Sequence, residues 1–100
     1  MKGKLIMTWD IAPQHEQEYF EFVVREFLPG IQKLGFEVGD AWLTVYGKQP
    51  QILVGVMLPT IEEIHNALTS QSWRELNDKL MEYVENYTQK IVPAEGGFQF

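Results

Sequence analysis

Cysteine is absent from this chain. Disulfides, thiolate metal sites and cysteine nucleophiles are excluded with it, and the composition fits a cytoplasmic protein. Basic residues are few: eight Lys and Arg stand against fourteen Asp and Glu, for a net charge of −6. Phosphate backbones are bound by clustered cations, and here the cations are scattered, so nucleic acid is not an expected partner. Histidine occurs only at His15 and His65. Neither has a second histidine one helical turn away, which removes a helical metal pair within the chain; no metal and no cofactor are expected. No apolar run approaches the roughly 20 residues that span a bilayer. The opening MKGKLIMTWD has no long apolar segment and no small-residue cleavage site, and reads as a first strand. There is no P-loop and no GxGxxG, and Gly96-Gly97 is too short to cradle a phosphate alone.

What remains is rich in core material. Of 100 residues, 45% are hydrophobic and 13% aromatic. No linker interrupts them, so residues 1–100 are expected to form a single domain. Leu5, Met7, Trp9 and Ile11 alternate with Lys4, Ile6, Thr8 and Asp10, which predicts a first strand over 4–11 with apolar character on both faces. Ala12-Pro13 ends it, and Pro suits the first turn of a helix. Phe20, Val23, Val24, Phe27, Ile31 and Leu34 follow helical spacing. A helix is expected over 13–28, with a break or kink at Pro29 and a continuation stopped by Gly35. Phe22 falls opposite this stripe, either as a partly exposed aromatic or as a contact with a partner.

Residues 38–46 and 51–58 read as strands joined by the turn Gly47-Lys48-Gln49-Pro50, an antiparallel hairpin. Thr60 with Glu63 forms a capping-box pattern ahead of Ile61, Ile64 and Leu68; Ser72 with Glu75 repeats it ahead of Leu76, Leu80 and Val84. Residues 87–92 alternate as a last strand, and Phe98 with Phe100 suggests a short extra strand or docked tail. The order is β-α-β-β-α-(α)-β. That is the α+β, ferredoxin-like split βαβ arrangement, a four-stranded antiparallel sheet with helices on one face. Strands that are apolar on both faces leave the second face needing cover, and a second copy of the chain would supply it.

Several stretches carry a resemblance. They are the strand ending in Ile11-Ala12-Pro13, the acidic helix start through Tyr19-Phe20, and Phe27-Leu28-Pro29 followed by Leu34-Gly35-Phe36. The hairpin at Tyr46-Gly47 and Ser72-Trp73-Arg74-Glu75-Leu76 belong with them. Through these the chain resembles the dimeric α+β barrel superfamily, which includes NIPSNAP-like, stress-responsive barrel and antibiotic-biosynthesis monooxygenase-type proteins. The resemblance implies a homodimer joined through its sheet faces, with a cavity between them. Members share architecture while their chemistries differ.

Candidate residues follow from that picture. Trp42, Thr44 and Tyr46 combine flat apolar walls with hydrogen-bonding groups, and Met57 adds apolar lining. They are expected either to line a ligand site or to form dimer-interface core. For the first strand, either Trp9 or the Thr8/Asp10 pair lines the cavity. Asp10, His15 and His65 are the candidate proton handlers. His15 reads otherwise as an exposed helix-start residue, and His65 as a boundary residue. Haem-degrading members use a helix His, a first-strand Asn and a Trp. His65 and Trp73 are present here, but the first strand has no Asn. Ser70 and Ser72 sit where helix caps belong. The favoured reading is a small-molecule-binding homodimer. The alternative is a cofactor-independent monooxygenase or isomerase acting on an aromatic or quinone-like substrate.

Overall fold

A computed structural model describes residues 2–43 and 51–94, with residues 40–43 described as backbone. The elements run β1 (Gly3–Ile11), α1 (Glu16–Phe22), a π-helical turn (Val23–Phe27), α2 (Leu28–Lys33), β2 (Glu37–Leu43), β3 (Ile52–Leu58), α3 (Ile61–Leu68), α4 (Gln71–Leu80) and β4 (Val84–Pro93). The strands form one open sheet in the order β2-β3-β1-β4, and every described pairing is antiparallel. This is the ferredoxin-like arrangement.

Alternation sorts β1 into two faces. Leu5, Met7 and Trp9 point to the helices and are 0–1% exposed. Across the ladder Leu5 faces Val56, Met7 faces Val54 and Trp9 faces Ile52. These residues join Tyr19, Phe22, Phe27, Ile31, Ile64, Trp73 and Leu80 in one buried cluster. Aromatic rings knit its centre. Trp9 meets Phe27 edge-on at 6.0 Å and lies parallel to Tyr87 at 6.0 Å. Trp73 packs on Phe27 and Phe36. Buried aromatic pairs of this kind add about 0.5–1.5 kcal/mol each beyond their area.

The first helix differs from the expected one. It does not break before Pro29: α1, the π turn and α2 run without a gap. Within the π turn the Leu28 N–H bonds to the Val23 carbonyl, five residues back. Pro29 follows immediately, in the first turn of α2. Proline has no N–H, and in an α-helix its ring meets the carbonyl four residues earlier; the wider turn before it relieves that clash. A π turn holds one residue more than an α turn, which moves the two halves out of phase by about 100°. Tyr19 and Phe22 are therefore buried ahead of the turn, while Phe20 ahead of it and Val24 within it are exposed. Phe22 is 3% exposed, whereas Phe20 is 49% and Val24 65% exposed.

The helix ends as its sequence suggests. Gly35 takes φ +98°, its N–H bonds to the Gln32 carbonyl, and the Phe36 N–H bonds to the Ile31 carbonyl. That pair of bonds is the Schellman end of a helix, which glycine adopts without Cβ strain. Thr60 caps α3, accepting from the Glu63 N–H at 3.1 Å and donating to the Glu63 carboxylate at 3.2 Å. The cap of α4 is Ser70 rather than Ser72: its Oγ accepts from the Trp73 N–H at 3.2 Å. β4 starts at Val84, three residues before the expected strand. The turn at 47–50 and the tail at Phe98 and Phe100 lie outside the described residues.

Candidate functional site

The helices cover one side of the sheet, and the other carries the alternate residues. From β1 these are Lys4, Ile6, Thr8 and Asp10. Their cross-strand partners are Met57, Gly55 and Leu53 on β3, and Val92, Lys90, Thr88 and Glu85 on β4. Ile6 is buried, while Thr8, Leu53, Met57 and Val92 are half-buried. The middle of this helix-free face is thus apolar, with hydroxyls from Thr8 and Thr88, which bond to each other. Lys90 stands beside Ile6, and Lys4, Asp10 and Glu85 lie nearer the ends of the face.

Asp10 is the most constrained polar group on it. The residue is 5% exposed. Its Oδ1 accepts from the Gln51 N–H at 2.9 Å and its Oδ2 from Asn86 Nδ2 at 2.8 Å. Gln51 returns the contact, its Oε1 accepting from the Ile11 N–H at 2.8 Å. A bulge makes this possible: the register of β1 on β4 shifts between Thr8 and Asp10, so two residues of β4, Asn86 and Tyr87, stand against Trp9. Asn86 adopts φ +56° there, a conformation asparagine tolerates better than most residues. The bulge aims its amide at Asp10. Neither Gln51 nor Asn86 stood out in the sequence. Asparagine is depleted in strands and reads as a break at that point, which is also why the strand start was misplaced.

The other expected residues fall as follows. Trp9 is on the helix side of β1, so the face carrying Thr8 and Asp10 is the helix-free one, and Trp9 is a core residue. Its Nε1 donates to the Tyr19 hydroxyl at 2.8 Å, and burial pushes that phenol above its ordinary pKa against the lowering effect of the Trp9 bond. Met57 is on the helix-free face. The register sets Trp42 opposite Leu53; its side chain, and all of Thr44 and Tyr46, lie outside the described residues. His15 directly precedes α1, exposed, with Nδ1 3.2 Å from a Glu18 carboxylate oxygen. His15 thus meets a carboxylate of its own helix, Glu18. His65 is exposed on α3, while Trp73 is a core residue at 5% exposure. Among the described residues no group of three or more His, Asp or Glu side chains is placed to hold a metal ion, and no helix is long and apolar enough to cross a membrane.

On the helix side, a groove of about 380 Å³ lies between the first helix and α4, floored by Gly30, Leu34 and Leu76. Its rim is charged, and Lys79 there is bound to Glu26 by bonds of 2.8 and 3.0 Å. No residue singled out from the sequence as a ligand or proton handler lines it.

Solved structures share this fold. A NIPSNAP family protein from Agrobacterium tumefaciens superposes with a TM-score of 0.73 at 15% identity, covering 93% of this chain and 92% of that one. A dimeric protein of unknown function and ferredoxin-like fold from Bacteroides fragilis gives 0.65 at 14%, covering 91% and 94%. A candidate antibiotic biosynthesis monooxygenase from Nitrosomonas europaea gives 0.69 at 10%, covering 94% and 90%. No family model and no curated protein matches the chain. At these identities the likeness is one of fold.

Proposed function

We propose that two copies of this chain pair through their helix-free sheet faces and enclose a cavity that binds a small molecule. The observation that carries this reading is the face itself. Leu53, Met57 and Val92 surround buried Ile6 on a side that no helix of the described residues covers. Removing such residues from water yields roughly 25 cal/mol per Å² of apolar surface, and a second sheet is the cover that fits a flat face. The dimeric Bacteroides fragilis protein of the same fold supports the assembly. Mixed apolar and hydroxyl lining, with Thr8 beside Leu53 and Met57, suits a compact organic ligand. The cysteine-free composition supports a place in the cytoplasm.

A second reading, a cofactor-independent monooxygenase or isomerase, draws on the fold shared with the candidate monooxygenase and on Asp10 as a proton acceptor. It ranks below the first because both Asp10 oxygens already accept hydrogen bonds from Gln51 and Asn86.

Light scattering at micromolar concentration tests the pairing. The chain is expected at dimer mass, and Leu53→Asp is expected to give a folded monomer, since Leu53 makes no part of the helix-side core. A wild-type monomer sinks the reading. Native mass spectrometry of the dimer then asks whether a small molecule travels with it.

A further inference from the structure

We propose that the second copy stacks with its strands antiparallel to the first, so that Lys90 of each protomer meets the Asp10–Glu85 carboxylates of the other. The inference rests on the sheet-face pairing proposed above and adds its orientation.

Two electrostatic mismatches on the face lead to it. Asp10 and Glu85 are direct cross-strand neighbours, and like charges placed opposite each other on a sheet are unfavourable. Asp10 is 5% exposed, yet its hydrogen bonds come from a backbone amide and an asparagine, both neutral. Its charge is left uncompensated among the described residues. Lys90 is the converse. It is exposed, stands opposite apolar Ile6, and forms no ion pair among the described residues. Covering the face takes water from Glu85 and Lys90 as well as leaving Asp10 buried, and a charge that loses water without gaining a counter-charge is costly. Each mismatch is the remedy for the other, but only between copies.

The spacing permits it. Glu85 with Asp10 forms one row across β1 and β4, Thr8 with Thr88 the next, and Ile6 with Lys90 the row after. A two-fold axis in the sheet plane, perpendicular to the strands and passing at the Thr8–Thr88 row, exchanges the first and third rows. Lys90 then lies over the partner's Glu85, and symmetry repeats the contact. A two-fold axis along the strands sends Lys90 toward the β2 edge instead, where Asp40 shares its row through Ile6 and Gly55. That alternative leaves the opposed Asp10 and Glu85 without a cation.

Charge exchange tests the orientation. Both side chains are exposed in the protomer, so the variants are expected to fold, which circular dichroism checks. Sedimentation of the full chain at low salt is expected to show Lys90→Glu and Glu85→Lys each weakening the dimer by at least about tenfold, because each sets like charges together across the interface. The double variant is expected to regain most of the lost affinity. Single variants that dimerise like wild type overturn the proposal, as does a double variant no tighter than either single. Rescue of Lys90→Glu by Asp40→Lys rather than Glu85→Lys overturns it in favour of the other axis. A wild-type chain that stays monomeric removes the sheet-face pairing itself, a result distinct from these.

Discussion

Tyr87 lies parallel to Trp9 and gives its hydroxyl proton to Gln89 at 2.7 Å. Burial raises its pKa from 10.0 to about 12. The Asn77 amide beside it pulls the other way, although Asn77 Nδ2 closes no hydrogen bond of good geometry among the described residues. The folded value exceeds the unfolded one, so the native state holds the proton more tightly. The resulting stability is fully present below pH 10 and is lost as pH rises toward 12. Urea titrations between pH 8 and pH 12 are expected to show stability falling in that window for wild type and falling less for Tyr87→Phe. At this scale the sequence was least legible. Asp10 drew attention as a carboxylate on the first strand, but its partners lie 41 and 76 positions away. Local spacing cannot reveal a bond made by a bulge on a distant strand. The indole of Trp9 offered no clue to its side either, because β1 is apolar on both faces.

The first helix shows how one residue of slack changes what an element buries. Its apolar positions fit an uninterrupted α period through Phe20, Val24, Phe27 and Ile31, and on that count the existence of the helix was plain. The π turn ahead of Pro29 resets the phase, so Phe20 and Val24 fall on the exposed face while Val23, Phe27, Ile31 and Leu34 meet the core as their spacing predicts. The two phenylalanines separate the alternatives. Phe22→Ala removes a ring packed on Phe27 and Tyr83 and is expected to cost about 3–5 kcal/mol. Phe20→Ala, half in solvent, is expected to cost less than about 1 kcal/mol. Denaturant midpoints of the two variants check this; equal losses would place both rings at one boundary and dismiss the phase shift. Two of the caps were easier to read, although the cap of α4 fell at Ser70 and not at Ser72. Thr60 and Gly35 are recognisable from a few neighbours, because a cap is decided by residues within one turn.

For the whole molecule, element order alone led to the sheet. The pattern of strand, helix, hairpin, helix and strand leaves few ways to close a right-handed antiparallel sheet, and the order β2-β3-β1-β4 is the one expected of it. What lies across the helix-free face was not legible in the same way, since a dimer interface and a ligand cavity ask for similar residues. If association buries that face, pairing stabilises the folded chain. The melting temperature is then expected to rise with protein concentration, by mass action. Calorimetry over a hundredfold concentration range checks it, and a constant value would count against the paired state.

β4 has a further consequence. It is ten residues long and forms an outer edge of the sheet, so one row of its backbone groups is a template on which another strand could grow. Three features spoil that template. The bulge at Asn86 breaks the hydrogen-bonding rhythm, exposed Glu85 and Lys90 place charge beside it, and Pro93 closes the strand with a residue that has no N–H to offer. Growth by edge addition has no natural end, whereas stacking of two faces is complete after one event. The residue that orients Asp10 thereby also helps to keep further strands from adding at this edge.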